Sequence, residues 1–140
     1  MSNQWIDLSS CQSLAVLVES VTAPLLIEHS APVCLELDVD TEIPVPADPH
    51  RIAELVRALV RQSLNEMPEG GDLSIMACET SQGLELELAD TGCDIDDRPT
   101  NLPMAAAAIG ARVGWQNCPQ GGAAVTVTFR VEGGQQRMAA

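Results

Sequence analysis

Between Leu8 and Ser30, Leu14, Leu17, Val21 and Leu25 recur at helical spacing. The pattern predicts a helix that Asp7 or Ser9 can cap. Pro24 falls inside it and should kink the helix or split off its last turn. From Val33 to Asp40 the period changes to two. Val33, Leu35, Leu37 and Val39 share one face, and Cys34, Glu36, Asp38 and Asp40 share the other. That is the signature of a half-buried strand. A proline-bearing connection follows, Glu42 to Asp48. Asp48 and Pro49 then form a strong helix start, a capping acid before a proline at the first helical position. Ile52, Leu55, Val56, Leu59, Val60, Ser63, Leu64 and Met67 make one nearly unbroken apolar stripe. The segment Pro68 to Gly71 stops this helix.

Two strands come next, Leu73–Cys78 and Leu84–Ala89, joined by a tight connection at Ser81–Gly83. Leu84, Leu86 and Leu88 alternate with Glu85, Glu87 and Ala89, so one face is buried and one is wet; the two glutamates read as solvated acid. Asp90–Thr100 is polar and loop-like. Pro103–Val113 is alanine-rich and reads as a short helix. Gly121 and Gly122 lead into a last alternating strand, Ala123–Val131. The order is helix, strand, helix, strand, strand, short helix, strand. Strands wet on one face place the helices on the other, which defines a two-layer α/β sandwich. The domain is expected to span residues 5–131, with residues 132–140 as a disordered tail.

Composition narrows the function classes. Aromatic residues are only 2% of the 140, so the core is aliphatic. The net charge is −13, and all seven basic residues are arginines. A nucleic-acid partner requires a basic patch to neutralise phosphates, and an anionic membrane disfavours this chain for the same reason. The acid is compatible with a basic protein partner and equally with a plain solubility role. Five cysteines, odd in number and without a CxxC pair, argue against a disulfide framework and a zinc site. Free thiols, no signal-peptide pattern and no membrane-length apolar run together predict a cytoplasmic protein.

Three features carry a resemblance. Asp48-Pro49-His50-Arg51-Ile52 is similar to the Asp-Pro-x-Arg-Leu opening of the N-box helix in the ATP-binding domain of histidine kinases. Pro68 to Gly71 lies at that family's distance from the opening. Asp90-Thr91-Gly92 follows the second hairpin strand, as the family's Asp-x-Gly-x-Gly motif does. The chain thus resembles the Bergerat-type group, which also holds DNA gyrase, a class of heat-shock chaperones and a class of mismatch-repair proteins. The resemblance implies a mixed sheet with helices on one face. It also implies ATP or ADP with Mg²⁺ as cofactor, and a two-component partner: a response regulator, a kinase or a phosphoacceptor protein.

Carried over position by position, the resemblance implies a worn site. The asparagine that holds Mg²⁺ falls on Gln62, which keeps an amide on a longer arm. The position one turn earlier, asparagine or general base in the family, is Ala58. The positions after it are Asn65 and Glu66, where a carboxylate faces the place of the triphosphate. The adenine-reading aspartate falls on Asp90, and the first motif glycine on Gly92. The second glycine is replaced by Asp94, whose side chain is expected to crowd the base. Gly121 and Gly122 resemble the last glycine box. The glycine-rich lid has no counterpart; Met104 to Ile109 stands in its place, and Arg98 is the only arginine in that loop. Phosphoryl transfer needs positive charge and metal around the transferred group, which these residues do not supply. His29 and His50 lie outside any phosphoacceptor context. Three readings follow: a degenerate signalling or protein-interaction module, a stand-alone kinase domain acting on a partner in trans, or a piece of a larger assembly that serves only to dimerise it.

Overall fold

The structure, a computed structural model, describes residues 11–100 and 104–130. The expected caps Asp7 and Ser9, residues 8–10 of the expected first helix and the tail lie outside those residues. Helix α1 runs over Leu14–Glu28, and Ser13 caps it by accepting from Val16 N–H at 3.4 Å. It continues unbroken through Pro24. The proline strips the Ser20 carbonyl of its helical donor, on a side of the helix where Pro24 is exposed and Ser20 half-buried.

Strand β1 is Val33–Asp38, two residues shorter than its alternation suggested. A turn takes over beyond it: Ile43 N–H reaches Asp40 O, and Glu42 N–H reaches the Asp40 carboxylate. Helix α2 is Pro49–Asn65, opened by Asp48, whose carboxylate accepts from Arg51 N–H at 3.2 Å. Its stripe from Ile52 to Leu64 is buried. Strands β2, Gly71–Thr80, and β3, Gly83–Asp90, form the hairpin expected from their alternation.

Helix α3 is only Met104–Ala108, and residues 112 and 113, expected in it, belong to a strand, β4, Arg112–Asn117. Gly110 makes the difference. It adopts φ +69°, and Ala111 N–H bonds Ala106 O while Gly110 N–H bonds Ala107 O. This is a Schellman stop, which the left-handed residue requires and glycine adopts without strain. Strand β5 is Ala123–Arg130.

The sheet order is β1-β2-β3-β5-β4, with β1 parallel to β2 and the other pairs antiparallel. It is therefore mixed, as the resemblance implied. Leu73, Ile75, Leu86, Leu88, Val125 and Val127 line its inner face and pack in one core with Leu17, Leu55 and Leu59 of the helices. Glu85, Glu87, Thr126 and Thr128 alternate with them on the outer face. The two-layer α/β sandwich is the observed architecture. His29 Nε2 lies 2.9 Å from Met67 O. A carbonyl only accepts, so that nitrogen carries the proton and ties the end of α1 to the end of α2.

Candidate functional site

Strand β3 ends at Asp90, and the chain then turns back beneath the C-terminus of α2. Asp90 is buried, as expected for a carboxylate at the end of an inner-face alternation. Its partner is Arg98. Nη1 donates to Oδ2 at 2.8 Å and Nη2 to Oδ1 at 2.7 Å, with both side chains only 1% exposed. The Gly92 N–H adds a third bond to Oδ1, at 2.9 Å. Arg98 is closed off in turn: Nε donates to Cys93 O at 3.0 Å, and Nη2 donates to the same oxygen. A planar guanidinium fork suits a carboxylate, and burial makes each of these bonds count for more. The Asp90 carboxylate raises Arg98 above its already high ordinary value, against desolvation, which pulls it down.

The loop from Thr91 to Arg98 is pinned on three further sides. The Cys93 thiol donates to the Glu66 carboxylate at 3.0 Å. That bond is the largest cause of the raised Cys93 pKa, ahead of burial and of the Glu66 charge itself. Ile95 N–H donates to Asn117 Oδ1 at 2.8 Å, anchoring the 3₁₀ turn Ile95–Asp97 to β4. Thr91 Oγ1 accepts from Asp72 N–H at 3.0 Å.

The structure brings some of the candidates from the sequence together and not others. Asp90, Gly92 and Glu66 do come together, around Arg98. Gly92 is needed there for closeness: a Cβ on it would stand 2.6 Å from Glu66 O and 3.0 Å from Arg98 Nη2. Gln62 lies half-buried one turn before Glu66 on α2, with Ala58 a turn earlier. Asp94 is exposed, and its carbonyl accepts from Asp97 N–H. The side chain that fills the space beside Asp90 is therefore Arg98, not Asp94. Gly121 and Gly122 form the β4–β5 turn, closed by Cys118 N–H to Gly122 O and Gly121 N–H to Cys118 O, both at 3.0 Å. Gly122, at φ +89°, passes so near Asp90 that any Cβ would strike its carbonyl.

Sequence reasoning missed Arg98. By sequence it is only the one arginine in the loop of the absent lid. The available signal was one cation among Asp94, Asp96 and Asp97, eight residues after a buried aspartate.

An adenine ring would need the Asp90 carboxylate as acceptor for its amino group. Here that carboxylate is buried and engaged by Arg98 and Gly92. On the phosphate side, Ala58 has no polar group and Glu66 adds negative charge. As built, both oxygens of the Asp90 carboxylate are already taken by protein donors.

The sandwich itself has close counterparts. The chain superposes on the histidine kinase AdeS of Acinetobacter baumannii with a TM-score of 0.69 at 21% identity, covering 86% of this chain and 66% of that one. For the mycobacterial sensor histidine kinase MprB the values are 0.68, 14%, 84% and 95%. For the blue-light activated histidine kinase EL346 of Erythrobacter litoralis they are 0.70, 18%, 90% and 43%. The chain thus spans just under two thirds of the AdeS chain and less than half of the EL346 chain. At such identities the likeness is one of fold: this is the α/β sandwich of histidine-kinase catalytic domains. No protein-family model matches the sequence, and no curated protein matches it significantly. Among the described residues, no helix is long and apolar enough to cross a membrane.

Proposed function

We propose that this is a histidine-kinase-like domain that has kept the sandwich and lost efficient nucleotide use. It acts as a signalling or protein-interaction module in a two-component-type pathway, in the cytoplasm, with a protein partner: a response regulator, a kinase or a phosphoacceptor protein. The observation that carries the reading is the Arg98–Asp90 pair. A nucleotide base could reach Asp90 only by breaking a buried, forked ion pair and leaving Arg98 without its counter-charge, which is costly. Ala58, Glu66 and the alanine-rich α3 support the same reading from the phosphate side.

Isothermal titration of the purified chain with ATP and with ADP, each with Mg²⁺, tests it. The expected result is no binding at sub-millimolar nucleotide. Micromolar binding that Asp90→Asn abolishes would replace this reading with that of a kinase domain acting in trans.

A further inference from the structure

Among the described residues no helix covers the outer face of the sheet, and its side chains are arranged rather than scattered. One cross-strand row reads Asp38, Met76, Glu87, Thr126, from β1 to β5. The next reads Cys78, Glu85, Thr128, Arg112. Met76 sits between the carboxylates and is 42% exposed. Around it lies a depression of about 350 Å³, lined by Asp38, Met76, Cys78, Glu85 and Glu87 among others. Its lining sets Met76, Cys78 and Thr126 beside the carboxylates of Asp38, Glu85 and Glu87. Among the described residues the cations on this face are Arg112, on the edge strand and turned toward Gln82 Oε1 at 3.4 Å, and Arg130, opposite Gly83 at the far end of β5.

We propose that this face is a docking surface for a basic amphipathic helix of a partner protein. The dimensions suit one. Asp38 and Glu87 stand on strands β1 and β3, two inter-strand spacings apart, or about 9.6 Å. That is close to the width of a helix, about 10 Å. A helix lying along β2 would set an apolar stripe on Met76 and Cys78. Its Lys or Arg side chains would hang over both flanks, toward Asp38 on one side and Glu85 and Glu87 on the other. Methionine floors accept varied apolar side chains because the thioether is flexible and polarisable. The carboxylates are spread by the pleat instead of converging, and among the described residues no three acidic, thiol or imidazole groups come close enough to share a metal ion. A second copy of this chain is a poor occupant, because it would bring carboxylates against carboxylates at a net charge of −13 each.

This inference does not rest on the state of the Asp90 site, and the nucleotide titration leaves it untouched. The probe is a fluorescent helix-forming peptide of leucine and lysine, compared with a leucine–glutamate peptide and with oligolysine, read by anisotropy at physiological salt. The leucine–lysine peptide is expected to bind and the other two to bind at least about tenfold more weakly. Asp38→Asn/Glu85→Gln/Glu87→Gln should weaken it about tenfold, the summed effect of three exposed ion pairs. Met76→Ser should weaken it several-fold. Glu28→Gln/Glu54→Gln/Glu69→Gln removes as many carboxylates from exposed positions off this face and should change it less than twofold. Amide shifts in the wild type provide a reading free of variants and should cluster on residues 34–38, 72–78 and 85–89. Equal loss in the two triple variants, equal binding of oligolysine, or shifts confined to α1 and α2 would overturn the proposal.

Discussion

Arg98 forks its guanidinium onto the Asp90 carboxylate, with two bonds of 2.7 and 2.8 Å, at a point where both side chains are only 1% exposed. Seven residues separate them, so the pair fastens the whole Thr91–Arg98 segment to the end of the sheet. A pair of this kind is not a large net stabiliser compared with apolar packing, but breaking one half of it strands a buried charge.

Arg98→Ala should therefore cost about 3–5 kcal/mol of unfolding free energy, and Asp90→Ala a comparable amount. The double variant should lose much less than the sum, because no charge is left alone. Arg98→Lys should fall between, since an ammonium cannot fork onto Asp90 and reach Cys93 O together. Urea unfolding of the four variants measures this; additive losses would contradict the pair as described.

Gly121 and Gly122 allow a sharper comparison. Both have positive φ, +103° and +89°. A Cβ on Gly121 meets nothing within 4 Å, whereas one on Gly122 strikes the Asp90 carbonyl. Gly121→Ala should cost about 1 kcal/mol, the conformational term alone. Gly122→Ala should cost that plus about 1–3 kcal/mol of steric strain. Equal melting temperatures for the two variants would count against this account of the β4–β5 turn.

The thiols should label in a set order. Cys34 and Cys78 are exposed on the sheet. Cys93 is held as a thiol by its bond to Glu66, and Cys118 by desolvation first and by nearby carboxylates second. With the thiolate as the reactive form, a disulfide reagent at neutral pH should modify Cys34 and Cys78 well before Cys93 and Cys118. The linkage has a definite sign. Folding raises the Cys93 and Cys118 pKa, so their contribution to stability is complete below the ordinary thiol value and fades as pH rises through the raised ones. Loss of that alkaline fall in Cys93→Ser/Cys118→Ser would confirm its source; its persistence would place it elsewhere.

Asp48→Ala should cost about 1 kcal/mol, the usual worth of an N-cap, because it leaves Arg51 N–H without its side-chain acceptor. Asp48→Asn should restore most of that. Thermal melts of both variants decide it.

The local pattern of this chain determined most of the architecture. The period-two alternations of Val33 to Asp38 and Leu84 to Ala89 and the stripe from Ile52 to Leu64 each bury one face, and a buried face is a property of neighbours in sequence. Strand β4 escaped because only Val113 and Trp115 mark it, and its beginning depends on Gly110 stopping α3. The position of Asp90 at the end of β3 was legible for the same local reason, as were Gly92 and the replaced positions Ala58, Glu66 and Asp94. What the tertiary structure alone decided is who occupies the place beside Asp90. The loop could have left Arg98 in water with Asp94, Asp96 and Asp97 as neighbours. Its anchors at Glu66 and Asn117, on two other elements, turn Arg98 inward. There a buried carboxylate binds a cation more strongly than solvent does.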